Sequence, residues 1–154
     1  MTARTLLIVA HCPSENLRRL RDALITGATR SEADLRCLFS APLDSGADEA
    51  FSADAIVLLT PENLGYMAGA MKDWFDRIYY PLLDSKQGLP CVAIIRAGHD
   101  GTGTRRAIET ITTGLRWRFI QEPITLQGEW QPSWTEEMEE LGEAIAVALA
   151  EGII

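Results

Sequence analysis

A chain of 154 residues, 47% hydrophobic and 23% charged, has enough apolar material for one well-buried core and too little length for two ordinary domains, which excludes both a disordered segment and a small disulfide scaffold. Lys and Arg total 14 against 22 Asp and Glu, a formal charge of −8, and that balance argues against a nucleic-acid partner or an anionic membrane surface. No stretch approaches the roughly 18 apolar residues of a membrane span, and three cysteines, Cys12, Cys37 and Cys91, without CxxC spacing fit a reducing, cytoplasmic compartment.

Short apolar runs alternate with longer stretches in which apolar residues recur every three or four positions, the pattern of βαβ units in a single α/β domain over residues 1–154. The first strand is Thr5–Ala10 (TLLIVA). It leads through His11-Cys12-Pro13-Ser14 into a helix over Glu15–Gly27 with Leu17, Leu20, Ala23 and Leu24 on one face. Asp34–Phe39 reads as the second strand. Only Asp44–Phe51 separates it from the third, Ala55–Thr60, so any helix there has one or two turns. The loop Thr60–Tyr66 precedes a helix with Met71, Trp74, Phe75 and Ile78 at core spacing, and the i,i+4 pairs Lys72/Asp76 and Asp73/Arg77 on its surface. The fourth strand is Pro90–Arg96, followed by the loop Gly98-His99-Asp100-Gly101-Thr102-Gly103-Thr104 and a helix carrying Ala107, Ile108, Ile111 and Leu115. A fifth, less regular strand covers Arg118–Leu126, weakened by Pro123. The last helix puts Trp134, Met138, Leu141 and Ile145 on one stripe, with Ser133 and Glu136 spaced as a capping box.

Strands one, three and four are almost wholly apolar, as expected of parallel strands covered by helices on both faces, whereas two and five carry charges and a proline. Those two belong at the edges. A five-stranded parallel sheet of order 2-1-3-4-5 puts them there, while order 3-2-1-4-5 would put the polar second strand inside. In the preferred order the topological switch falls between strands one and three, so a ligand is expected against His11–Leu17 and Thr60–Tyr66. The first of these loops runs straight into a helix, where backbone N–H groups, Ser14 and Asn16 make a candidate phosphate cradle; Ser14 is equally suited to capping that helix.

The stretch TPENLGYMAGAMKDWFDR (Thr60–Arg77) resembles the TPxxxGxMxGxxKxFxDR region of flavodoxin-like NAD(P)H-dependent FMN and quinone reductases. HCPSENLRRL (His11–Leu20) resembles their SPSGNTRRL-type phosphate loop, and the likeness continues through Trp117. The resemblance implies a flavodoxin-like three-layer sandwich that binds FMN. It assigns the phosphate to Ser14, Asn16 and the amide of Leu17, and puts His11, Pro13 and Glu15 of the same loop among the cofactor-binding residues. Pro61, Glu62, Asn63, Leu64, Gly65 and Tyr66 would wrap the isoalloxazine ring, and Gly98, His99, Asp100 and Gly101 would cover its other side. It further implies NAD(P)H as donor, a quinone or a redox protein as acceptor, and a homo-oligomer as a common state of the relatives. No catalytic side chain is required, because the flavin does the redox chemistry, and no His/Cys/Asp cluster has metal-ligand spacing.

Three residues depart from the pattern. Leu17 stands where the family has Thr or Ser, Glu15 puts a negative charge beside the phosphate, and Asn63 stands where many members carry an aromatic ring. These departures suit a second reading, a protein of the same fold that has lost the cofactor and acts as a binding module. A third reading takes His11 to Arg18 as an HCx5R phosphatase signature, with Cys12 as thiolate nucleophile and Arg18 holding the phosphoryl group. Against it, Arg19 replaces the usual Ser or Thr after the arginine and no Asp-Pro general acid follows late in the chain.

Overall fold

Every residue of β1 (Arg4–Ala10) after Arg4 is buried, and β3 (Ala55–Asn63) is buried from Ala55 to Pro61, so both lie inside the sheet with helices on each face. The computed structural model describes residues 3–154. β2 (Leu35–Ser40) is only half-buried and forms an edge. Parallel pairing gives the order β2-β1-β3-β5, with β5 (Pro90–Ala97) fourth, which is the expected order. Two features extend it. β3 runs to Asn63 and turns back into β4 (Tyr66–Met67), so the expected loop Thr60–Tyr66 is largely a hairpin.

The expected single fifth strand, Arg118–Leu126, is two short ones. β6 (Arg118–Phe119) pairs with Pro90 and Cys91, β7 (Ile124–Gln127) pairs with Ile94–Ala97, and Ile120–Pro123 bridges them. Pro123 has no N–H for the ladder, which stops pairing ahead of it.

α1 (Glu15–Arg30) and α5 (Ser133–Ala150) cover one face, over Leu6, Ile8, Val57, Leu59, Val92 and Ile94. α2 (Ala47–Ser52), α3 (Gly69–Leu82) and α4 (Thr102–Leu115) cover the other, around Trp74, Phe75 and Trp117. The ring of Trp74 lies 5.1 Å from Phe75 and 6.3 Å from Trp117, centroid to centroid. Asp73 and Arg77 pair on α3 as the spacing predicts, and Lys72 pairs with Asp76. Arg77 does more than that. Its guanidinium also donates to the carbonyls of Pro42 and Ser45, both at 2.7 Å, tying α3 to the turn after β2.

Two helix ends differ from expectation. α1 continues through Gly27 to Arg30, because this glycine is a packing residue: a methyl group there would overlap the Glu139 carbonyl of α5, and one at Gly142 would overlap the Leu24 carbonyl of α1. Arg30 then bridges the helices through Glu139 at 3.0 Å and Glu143 at 3.1 Å. At the start of α5 there is no Ser133 cap. Pro132 already has helical dihedral angles (φ −56°, ψ −29°), so Ser133 lies inside the first turn and the capping box cannot form.

Candidate functional site

β1, β3 and β5 all deliver their following loops to the same end of the sheet. Loop one leaves β1 with the His11 amide donating to the Leu59 carbonyl at 2.9 Å, which holds it beside the end of β3. Ser14 caps α1, its Oγ accepting from the Leu17 amide at 3.2 Å. Arg18 N–H is taken by the Ser14 carbonyl. The amides of Glu15 and Asn16 are thus the helix-terminal donors left for an anion, at the positive end of a 16-residue helix.

The side chains refine that cradle. Glu15 is drawn aside into an ion pair with Arg19 at 2.9 Å, which takes its carboxylate away from the helix start, and Arg19 also donates to Asn16 Oδ1 at 3.5 Å. The Asn16 amide nitrogen, the Ser14 hydroxyl hydrogen and the exposed Arg18 remain as donors. Leu17 turns into the core at 3% exposure and offers nothing but its capped amide. Pro13 is exposed and has no N–H to give. Burial pulls the His11 pKa below its usual value, which favours the neutral imidazole.

Cys12 behaves as a core thiol. Its Sγ donates to the Leu17 carbonyl at 3.5 Å, and burial pushes its pKa up to about 11 despite Arg21 and Arg18 nearby. A phosphatase needs the opposite shift. With its pKa pushed up to about 11, Cys12 is overwhelmingly a neutral thiol at pH 7, so iodoacetamide should label it very slowly there and faster as the pH rises. Rapid labelling at pH 7, followed by mass spectrometry of the Cys12 peptide, would contradict this.

Loop two owes its shape to Thr60. This fully buried residue accepts from the Ala68 amide at 3.1 Å and donates to the Pro61 carbonyl at 2.9 Å, closing the base of the β3–β4 hairpin against the start of α3. Pairing of Asn63 with Tyr66 leaves a two-residue turn at Leu64 and Gly65, with φ of 54° and 76°. Both values are left-handed. Gly65 adopts this freely, while the side chain of Leu64, wholly exposed, pays for it with strain of about 1 kcal/mol or more. Leu64→Asn should therefore stabilise the protein by about 1 kcal/mol in a urea titration, since Asn-Gly is the preferred pair for this turn.

Loop three is bolted to loop two. The His99 amide donates to Glu62 Oε1 at 3.0 Å, and Gly103, in the first turn of α4, lies so close to the Gly65 carbonyl that a methyl group could not fit between them. Gly101 starts α4 with φ of 69°, and Asp100 accepts from the Thr102 amide at 3.0 Å, which holds its carboxyl below the usual carboxylate range. Gly98, His99 and Asp100 are exposed, as are Asn63, Gly65 and Tyr66. Thus all sixteen expected residues lie at one end of the sheet, with loops two and three in direct contact and loop one alongside across the β1–β3 pairing. Thr60 and Gly103, which build the hairpin and its seat, were not among them. A buried threonine closing a strand is visible in TPENLGYMA, but the Gly103 contact joins segments distant in sequence and leaves no local signal.

Among the described residues no group of His, Cys, Asp and Glu could hold a metal ion. Among the described residues no helix is long and apolar enough to cross a membrane. No family model and no curated protein matches this sequence. Solved structures do. A flavodoxin from the domain Archaea superposes with TM-score 0.79 at 17% identity, covering 94% of this chain and 98% of its own. A WrbA-like flavodoxin from Agrobacterium tumefaciens gives 0.75 at 15%, covering 97% and 99%. The flavodiiron protein of Giardia intestinalis gives 0.76 at 14%, this chain matching 37% of it. Identities this low speak for architecture, and together with the strand order they establish that the chain has the flavodoxin-like fold.

Proposed function

We propose that the loop end of the sheet binds FMN, and that the loaded protein passes electrons from NAD(P)H to a quinone or similar small acceptor, or serves as a carrier to a redox protein. The observation that carries this reading is the donor set at the start of α1. Two free amides, the Ser14 hydroxyl, the Asn16 amide and Arg18 fit a phosphate monoester, and the Glu15 carboxylate is diverted to Arg19. The flavodoxin likeness favours a flavin as the bearer of that phosphate.

When bound, the flavin would supply the one- and two-electron chemistry. The chain's own part is to bind and orient. Glu15 and Asn16 amides hold the phosphate; the Glu62–His99 bond keeps the hairpin and loop three at fixed separation; Gly65 and Gly98, with no neighbour within 4 Å of where a side chain would begin, leave room for close approach of a flat ring. Asn63 cannot stack as an aromatic would, and the exposed Tyr66 beside it is the ring available to do so.

Asn16→Ala tests the cradle. Loss of the side-chain amide should weaken FMN binding by about one to two decades, the worth of one hydrogen bond to a charged group, with stability nearly unchanged because Asn16 is only half-buried. Unchanged affinity would place the phosphate elsewhere. The electron-transfer half is tested by adding NADH or NADPH anaerobically to FMN-loaded protein. Bleaching of the visible band, restored by a quinone, supports a reductase. A band that persists until a chemical reductant is added favours the carrier.

A further inference from the structure

An opening lies beside loop one, next to the edge strand. It has a volume of about 440 Å³ and sits between α1 and the ends of β1 and β2, within the range of roughly 300–1,000 Å³ typical of small-ligand sites. Its floor is Ala10 and Cys12, and its walls are Arg21, Phe39, Ser40 and Asp44. The proposed FMN site extends from loop one toward β3 and β5, whereas this cavity extends from Cys12 of the same loop toward the edge strand β2.

Its chemistry is specific. Phe39 opposes Ile8 on the α1 side of the sheet and leaves its ring 57% exposed, so the cavity presents an aromatic plane on which a flat ring can stack. Arg21 is engaged through Nε with Asp22 at 3.0 Å, so its terminal nitrogens are available to an anion. Asp44 is an acceptor for hydroxyl groups. A flat ring, hydroxyls and an anion in one molecule describe a nucleotide. A simple aromatic acid would use Phe39 and Arg21 but would be repelled by Asp44, which a ribose satisfies. An acidic residue just beyond the second strand of a βαβ unit is also where the hydroxyls of a nucleotide ribose are held in open parallel sheets.

We propose that this cavity binds the adenosine end of the reduced nicotinamide dinucleotide, its base on Phe39, its ribose hydroxyls donating to Asp44 and its phosphates against Arg21. The proposal rests on the reductase reading. The donor then lies across loop one with its nicotinamide end free to reach the flavin side.

Cys12 on the cavity floor reports occupancy without any flavin. The experiment measures iodoacetamide labelling of Cys12 at pH 9 against AMP concentration, with and without saturating FMN, in the native protein and in Phe39→Ala and Asp44→Asn. AMP should slow labelling in both FMN states, and each variant should weaken its effect roughly tenfold, the worth of one stacking or charged contact, with circular dichroism and FMN retention unchanged. FMN retention without AMP protection, or protection unaltered in both variants, overturns the adenosine site alone. Phe39-dependent protection in a protein that does not bind FMN supports the site and overturns the reductase reading alone.

Discussion

Gly27→Ala and Gly142→Ala should each lower the unfolding free energy by about 2 kcal/mol, although alanine is the better helix former at both positions. The two glycines face each other's helices: Gly27 abuts the Glu139 carbonyl and Gly142 abuts the Leu24 carbonyl, so neither methyl group can be accommodated by a side-chain rotation. α1 and α5 must move apart. Overpacking costs about 1–3 kcal/mol, here at the upper end because backbone must yield, and the helix-propensity gain of about 1 kcal/mol offsets part of it. For a chain of this size the melting temperature should fall by about 4–8 °C. Gly69→Ala is the control, since nothing lies within 4 Å of its missing side chain. It should leave stability equal or slightly raised. Equal melting temperatures for all three variants would show that the helix pair is looser than described.

The largest expected effect on the site comes from Gly103→Ala. The added methyl group points at the Gly65 carbonyl and must push the β3–β4 hairpin off the first turn of α4. That displacement pulls Glu62 away from the His99 amide, and with it the fixed separation of loops two and three. FMN affinity should drop by about one to two decades, as for the loss of one charged hydrogen bond, and by more if the ring sits against both loops. Glu62→Ala removes the same bond without the steric push and should lose affinity by the lower figure. The two variants separate position from charge. Both leave the α1–α5 pair untouched, so their thermal transitions should stay cooperative.

The sheet order was legible because burial on two faces demands apolar strands. TLLIVA, AIVLLT and CVAII could only be interior, and the charges of Asp34 and Arg36 in DLRCLF marked an edge. The same reasoning placed the candidate site, since the switch in strand order fixes which loops meet. What local patterns could not supply were contacts between distant segments. Gly27 read as a helix stop because a glycine near the end of an apolar stripe has that use more often than close packing, and only α5 reveals which applies. Ser133 read as a cap because the rule weighs Ser133 and Glu136 and not the dihedral angles Pro132 brings. The hairpin was hidden by Leu64, a residue that turn statistics disfavour where φ is positive. Pro123 gave its warning, and the strand broke ahead of it. In the candidate site, Ser14 and Asn16 stand at the start of α1, where the sequence puts them. The diversion of Glu15 to Arg19 is an i,i+4 pair that the sequence contains and that changes the meaning of the negative charge beside the cradle.

An FMN fluorescence titration followed by gel filtration decides whether the loops after β1, β3 and β5 form a flavin site. The expected result is saturable quenching at one FMN per chain and a yellow protein peak, with quenching weakened in Gly103→Ala. Unquenched flavin eluting entirely apart from a colourless protein would contradict it, leaving a flavodoxin-like fold whose loop end serves a ligand other than FMN.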